Sequence, residues 1–292
     1  MENKVILVTG ANSGMGKVTA LELAKKGATV VMVCRNKQAG EQVRKEIIAV
    51  SGNERVDLLL ADLSSQQSIR ELAGTIKSHY PKLDVLVNNA GLAFSDRHLS
   101  VDGIEMTFAV NHLGYFLLSN LLLDNLKASS SGRIINVASS THTQGKLNLD
   151  DPGFKQNYSL FGAYNQSKLC NILFTYALAT RLKNTHVTVN CLNPGPVKTG
   201  LSRDMGAFFK LIGSLFFFSP EKAAETAIYL ASSPEVEGVS GTYFSKKKPI
   251  ASSKQSQDIM LQQKLWELSE GLSLIGPRAK GSHPNLTAKE CD

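Results

Sequence analysis

Along this chain, short apolar runs closed by turn-forming residues alternate with longer stretches that carry an apolar face at helical spacing. The runs Val5-Ile-Leu-Val8, Thr29-Val-Val-Met-Val33, Leu83-Asp-Val-Leu-Val87, Arg133-Ile-Ile-Asn-Val-Ala138 and Thr188-Val-Asn-Cys-Leu192 contain few polar interruptions. A strand packed on one face alternates apolar and polar residues, whereas one packed on both reads as a continuous apolar run, so these are expected in a buried parallel sheet. The pattern predicts strands at about 4–9, 28–34, 56–61, 83–87, 133–138, 186–192 and 240–244. Helices are predicted between them near 14–26, 37–50, 66–79, 103–128, 163–183 and 220–231, the last opening on Ser219-Pro220-Glu221, a cap followed by proline in the first turn. Strictly alternating β and α elements imply the α/β class: a doubly wound parallel sheet of about seven strands with helices on both faces.

Short connections and the absence of a Ser/Gly-rich linker point to a single domain over residues 1–245. Two regions break the repeat: an insertion at 143–160 and an apolar excursion at 200–218. Beyond the last strand, 246–292 holds one more amphipathic segment (Met260, Leu261, Leu265, Trp266, Leu268) and then a polar, loose end. With 292 residues, 42% hydrophobic and 20% charged, the chain can bury a full core. The formal charge of +7 is scattered apart from Lys246-Lys-Lys248, and no recognition helix or basic–aromatic stripe accompanies it, so no nucleic-acid partner is expected. Cys34, Cys170, Cys191 and Cys291 form neither a C-x-x-C pair nor a metal-ligand spacing; no metal is expected, and a reducing compartment is the simple reading. No signal-peptide core and no run of ~20 apolar residues is present, so the chain is expected to be cytoplasmic, with at most a peripheral contact to a membrane.

The first strand leads through Gly10-Ala-Asn12-Ser13-Gly14-Met15-Gly16 into a helix. Glycines at 10, 14 and 16 allow a tight turn, close approach of a ligand and close packing of helix on sheet, while the N–H groups of the helix start suit a pyrophosphate. The spacing is not that of a phosphate-binding P-loop, because Ala11 and Val18 stand where that motif needs Gly and Ser/Thr. At the end of the second strand, where an acid would bond a ribose 2′-OH, the chain reads Cys34-Arg35-Asn36-Lys37. A guanidinium grips a 2′-phosphate that a carboxylate would repel, so NADP(H) is expected, with Arg35 as the main anchor, Asn36 beside it, and Lys37 or Lys17 as helpers.

Tyr164 and Lys168 are four residues apart on a predicted helix and therefore share a face. An ammonium beside a phenol favours phenolate and is expected to lower the tyrosine pKa, fitting it to exchange a proton with a carbonyl oxygen. Such a pair alone is weak, but Ser139-Ser140, Asn88-Asn-Ala-Gly91 and Asn193-Pro-Gly195 all end predicted strands at the carboxyl edge where open α/β sheets place their ligands.

Taken jointly, Thr9-Gly10-x3-Gly14-x-Gly16, Asp62-Leu63, Asn88-Asn-Ala-Gly91, Asn111, Ser140, Tyr164-x3-Lys168 and Pro194-Gly195 resemble the short-chain dehydrogenase/reductase family over roughly residues 4–245. Cys34-Arg35-Asn36, Gly16-Lys17, Asn111-His-Leu-Gly114 and Glu237-Gly-Val-Ser-Gly241 are similar to its retinol dehydrogenase-like branch, which counts protochlorophyllide reductases and the WW-domain oxidoreductase as relatives. The resemblance implies a Rossmann fold and gives roles to matching residues: Tyr164 as general acid and base, Lys168 on the nicotinamide ribose, Ser140 on the substrate oxygen with Ser139 as the alternative, and Asn111 holding a relay water. It further implies that Asp62 and Leu63 contact adenine, that Asn89, Ala90 and Gly91 contact the adenosine side, and that Pro194, Gly195, Val197 and Thr199 form the nicotinamide end.

Ser140 lies 24 residues before Tyr164, a longer gap than compact members of the family use, and the insertion it contains brings Phe154 and Tyr158 toward the expected site mouth, with Phe161 just beyond it. His142 follows the serine pair as a loop histidine that can touch substrate, though an ordinary loop role is the simpler reading. The excursion at 207–218, with five phenylalanines, occupies the family's lid position and suits a lipophilic carbonyl or alcohol substrate, retinal-like or steroid-like, or contact with a membrane surface. The helices near 112–126 and 169–182 carry more apolar surface than sheet packing uses, which suggests a homodimer unless the C-terminal segment covers it. The resulting expectation is an NADPH-dependent oxidoreductase; the alternatives are an NADP-binding regulatory protein whose activity has lapsed and a light-driven reductase of the protochlorophyllide type.

Overall fold

A computed structural model describes residues 1–195 and 218–273. The strands β1 (Val5–Thr9), β2 (Thr29–Cys34), β3 (Val56–Leu60), β4 (Val85–Asn88), β5 (Arg133–Val137), β6 (Thr188–Asn193) and β7 (Thr242–Ser245) pair in parallel in the order β3-β2-β1-β4-β5-β6-β7. All seven predicted strands are there. The chain reverses direction across the sheet between β1 and β4, and the crevice that opens at their carboxyl ends is where such sheets bind ligands.

Alternate residues of each strand enter different layers. Leu7, Val31, Val33, Leu86, Ile134 and Val189 face one core, filled by α3 (Gln66–His79), α5 (Gly114–Leu121) and α7 (Leu160–Arg181). Ile6, Val8, Val30, Met32, Val87 and Ile135 face the other, filled by α1 (Gly14–Lys25), α2 (Lys37–Ser51) and α8 (Pro220–Ser232). Both faces are dry, which is why the strands read as unbroken apolar runs. Helix starts follow their caps: Asn36 Oδ1 accepts from Ala39 N at 2.9 Å, Ser65 Oγ from Ser68 N at 3.3 Å, and Ser159 Oγ from Gly162 N at 3.1 Å.

Three features depart from the sequence reading. The helix predicted over 103–128 is broken into α4 (Met106–Phe108), a π-helical turn (Ala109–Leu113), α5, and α6 (Leu123–Lys127). The π turn adds one residue to the hydrogen-bonded ring and is invisible to an apolar periodicity that runs through it. An eighth strand, β8 (Lys248–Pro249), pairs antiparallel with β7 through a turn in which Lys246 and Lys247 take φ values of 50° and 65°. Such turns ordinarily advertise themselves with Asn-Gly, and here the residues read only as surface charge. Finally, α9 (Ile259–Ser273) lays Leu265 against Leu113, Leu169 and Leu173, and Trp266 against Phe116 and Phe174. The Arg181 guanidinium covers Trp266 at 3.8 Å, and His112 Nε2 meets Ser269 Oγ at 2.8 Å. The apolar surplus that suggested a homodimer is thus covered by the chain's own C-terminal helix.

Among the described residues no helix is long and apolar enough to cross a membrane, and no cluster of His, Cys, Asp and Glu suits a metal. The 200–217 part of the expected lid, the end of the tail, Val197, Thr199 and Cys291 lie outside the described residues.

Candidate active site

A cavity of about 530 Å³ runs along the carboxyl ends of β1, β2, β4, β5 and β6. Gly10, Asn12, Ser13, Gly14, Met15, Gly16, Arg35, Asn36, Asp62, Leu63, Asn89, Ala90, Gly91, Tyr164, Lys168, Pro194 and Gly195 all line it. It is also lined by Cys34, Ala61, Leu92, Val110, Val137, Ala138 and Ser139; apart from Ser139, these are small or apolar wall residues whose type carries no chemical signal in a sequence.

The end of the cavity at the glycine turn is shaped by backbone. Gly10 has φ +66°, and a Cβ there would stand 2.9 Å from Ala90 Cα; a Cβ at Gly16 would overlap the Gly10 carbonyl and lie 2.5 Å from Asn89 Nδ2. The turn therefore closes directly onto β4, and only glycine permits it. Asn89 Nδ2 donates to Thr9 O at 2.8 Å, and Thr9 Oγ1 accepts from Asn89 N at 2.9 Å, so this asparagine braces the turn with its side chain while it lines the cavity. Gly14 has open space on its Cβ side, and Ser13 makes no side-chain cap at the start of α1, leaving first-turn amides for an anionic ligand.

Arg35 is 72% exposed and reaches 4.0 Å from Asp62 Oδ2, a long, solvent-screened contact that leaves the guanidinium able to take a phosphate. Neither expected helper joins it. Lys17 pairs with Glu46, and Lys37 is an exposed first-turn residue of α2 that does not line the cavity.

At the other end, α7 carries Tyr164 and Lys168 on one face as predicted, with Lys168 Nζ 5.5 Å from the Tyr164 ring centroid. Lys168 Nζ donates to Val137 O at 3.1 Å, a carbonyl that also accepts from Asn171 Nδ2 at 3.2 Å. Burial lowers the Lys168 ammonium to about 8. Burial also pushes the Tyr164 phenol up to about 12, against which a hydrogen bond from Ser139 pulls it down. The expected lowering of Tyr164 by Lys168 is therefore corrected: desolvation raises the phenol, only Ser139 pulls it back, and the tyrosine keeps its proton at neutral pH.

The serine assignment also changes. Ser139 lines the cavity with Tyr164 and is the group that lowers its phenol, whereas Ser140 begins a 3₁₀ turn (Ser140–Gln144) with an exposed side chain and joins the site only through its amide, which donates to Asn193 Oδ1 at 3.1 Å. A strand that ends at Val137 turns its side chains by half a revolution per residue, so a one-residue choice decides which hydroxyl faces the site.

Asn111 does not line the cavity. It sits in the π turn, fully buried, accepting from Leu92 N at 2.8 Å and donating to Leu92 O at 2.9 Å and Ser167 Oγ at 3.0 Å. Its side chain holds the loop after β4 beside Lys168: a Cβ on Gly91 would lie 3.4 Å from Asn111 Oδ1 and 3.6 Å from Lys168 Nζ. The insertion docks on the same loop without lining the cavity, with Tyr158 donating to Phe94 O at 3.0 Å and Arg97 Nε to Gly153 O at 2.8 Å. Phe154 packs edge-on to Tyr158, Phe161 stays 60% exposed at the start of α7, and the Phe218 ring lies over Gly195.

This geometry agrees with what the chain is similar to. The short chain dehydrogenase family profile matches residues 4–208. Retinol dehydrogenase 14 of Homo sapiens is 44% identical over 289 residues, covering 92% of this chain and 86% of that protein. A crystal structure of a protein from Mycobacterium paratuberculosis superposes with a TM-score of 0.78 at 32% identity, covering 94% of each chain. A short chain dehydrogenase from Shigella flexneri 2a, solved in complex with NADP, gives 0.69 at 25% identity, covering 85% of this chain and 98% of that one. With matches of this extent and a sheet, glycine turn and Tyr–Lys helix in the matching places, the chain belongs to the short-chain dehydrogenase/reductase family of oxidoreductases, in its retinol dehydrogenase-like branch.

Proposed function

We propose that the protein is an NADPH-dependent reductase of lipophilic aldehydes or ketones, acting in reverse on the corresponding alcohols, with Tyr164 as the acid. The observation that carries this reading is a half-buried, protonated phenol lining one end of a cavity whose other end holds a glycine turn and an open guanidinium. Gly10, Gly14 and Gly16 would bring backbone amides to the pyrophosphate, Arg35 would meet the 2′-phosphate, and Lys168 would bond the nicotinamide ribose. Bound NADPH supplies the hydride.

The protein's part is to polarise the carbonyl and protonate its oxygen. Ser139 Oγ accepts from Thr141 N at 3.2 Å, and its one proton, directed at Tyr164, would turn to the substrate oxygen once a carbonyl is bound. Tyr164 donates its proton to that oxygen as negative charge develops, so no free alkoxide has to form. Lys168 stays charged below about 8 and stabilises the phenolate that remains until a proton returns from solvent. A lipophilic substrate is supported by the apolar side chains of Leu92, Val110 and Val137 on the cavity lining and by the name of the retinol dehydrogenase relative.

The test is oxidation of NADPH, followed by its absorbance, against short and long aliphatic aldehydes, retinal and a ketosteroid, in light and in dark. Turnover in the dark that rises with carbon number, abolished in Tyr164→Phe while that variant still binds NADPH, is the expected outcome. Full activity in Tyr164→Phe refutes the assignment of the acid. Absence of turnover with every carbonyl refutes the reductase reading.

A further inference from the structure

His142 was expected as a loop residue, yet it is 2% exposed and uses both ring nitrogens. Nδ1 lies 2.7 Å from Ser139 O, which can only accept, so that nitrogen carries the proton. Nε2 accepts from the amide of Ser253 at 3.1 Å, which can only donate, so that nitrogen is bare. The ring is thus one neutral tautomer, packed edge-on against Tyr243 at 5.1 Å, and burial holds it below the ordinary histidine value.

Ser253 belongs to the strap between β8 and α9, which is fastened by further serines: Ser252 Oγ meets Tyr176 OH at 2.8 Å, Ser256 Oγ donates to Ser252 Oγ at 2.8 Å, and Gln262 Nε2 donates to Ser256 O at 3.0 Å. His142 therefore connects two parts of the chain that are 111 residues apart, the strap on one side and the turn that aims the Ser139 hydroxyl on the other.

We infer that His142 is a positioning residue for the serine of the proposed reaction: it fixes Ser139 through its backbone carbonyl and is itself oriented by Ser253, so the strap after the last parallel strand is part of the site's machinery. This rests on the proposed reductase reading, in which Ser139 holds the substrate oxygen. The two hydrogen bonds separate by substitution. Asparagine places an N–H where Nδ1 stands and keeps the bond to Ser139; glutamine places an amide oxygen near Nε2 and keeps the bond to Ser253.

With the full-length protein, His142→Gln is expected to lower kcat by about tenfold or more, a fraction of the ~100-fold that loss of a hydroxyl donor on a developing oxyanion brings, with KM for NADPH unmoved. His142→Asn is expected to recover most of the lost rate, although its melting temperature falls further because the strap is released. Crystal structures of the two variants read the same point without turnover: Ser139 Oγ stays beside the Tyr164 hydroxyl in the asparagine variant and turns away in the glutamine variant. Equal kcat in the two variants, or kcat that tracks melting temperature, overturns the inference, as does an unmoved Ser139 in the glutamine crystal. A wild-type protein inactive on every carbonyl would instead sink the reductase reading, and the crystal comparison would still decide the role of His142.

Discussion

Replacing Arg35 by alanine should cost NADPH binding and leave NADH binding nearly untouched. The 2′-phosphate that distinguishes the two cofactors would sit at the end of β2, where Arg35 supplies the cation and the neighbouring carboxylate is Asp62 at 4.0 Å. A guanidinium–phosphate pair at ~4 Å is worth about 1 kcal/mol in bulk water and about 4 kcal/mol at the effective dielectric of a protein surface. Since the Arg35 side chain is 72% exposed, the lower part of that range applies, and bidentate geometry raises it to about 2 kcal/mol, or ~30-fold in affinity. Arg35→Asp should go further, because a second carboxylate beside Asp62 repels the phosphate, so the NADPH-to-NADH preference should fall by ~100-fold or invert. The assay is kcat/KM for both cofactors with one aldehyde, at low salt and at about 0.5 M salt. An exposed pair is screened, so the wild-type preference should shrink in salt and the alanine variant's should not. An NADPH preference unchanged by Arg35→Asp, or insensitive to salt, would refute the phosphate assignment.

Two other outcomes test the acid end. Ser139→Ala should lower kcat by ~100-fold with cofactor affinity intact, while Ser140→Ala should stay within about threefold of wild type, because its exposed hydroxyl does not line the cavity; the reverse ranking would restore Ser140. The Lys168 ammonium, lowered by burial to about 8, is charged below that pH and neutral above it, so reductive kcat should fall as pH rises through about 8. Lys168→Arg, whose guanidinium stays charged, should lower kcat but remove that fall from the pH–rate profile, and a profile of wild-type shape in this variant would show that another group titrates.

How much of this was legible in the sequence depends on where each signal sits. Burial on both faces is written directly into composition, so Val5–Thr9 or Thr29–Cys34 announce themselves as strands, and a glycine required by contact, as at Gly16, stands out because nothing else fits. Tyr164 and Lys168 share a face because the helix repeat is rigid over four residues. What sequence missed depends on single-residue geometry. The π turn at Ala109–Leu113 shifts the phase of the helix by one residue without altering its apolar pattern, and that shift is what lets Asn111 bond both backbone groups of Leu92. The choice between Ser139 and Ser140 is likewise one step along a chain that is leaving a strand for a 3₁₀ turn.

The balance between charge and burial at Tyr164 was misjudged for a related reason. Spacing shows that an ammonium is near a phenol, but it says nothing about how much water remains around either. Desolvation by the surrounding chain moves the two groups toward their neutral forms together, the phenol upward and the lysine downward. A phenol so placed holds its proton at neutral pH, ready to give it to a carbonyl oxygen, and the phenolate it leaves can take a proton back from the alcohol when the same reaction runs in reverse. Lys168, 5.5 Å from the ring centroid, is the cation on hand to steady that phenolate in either direction.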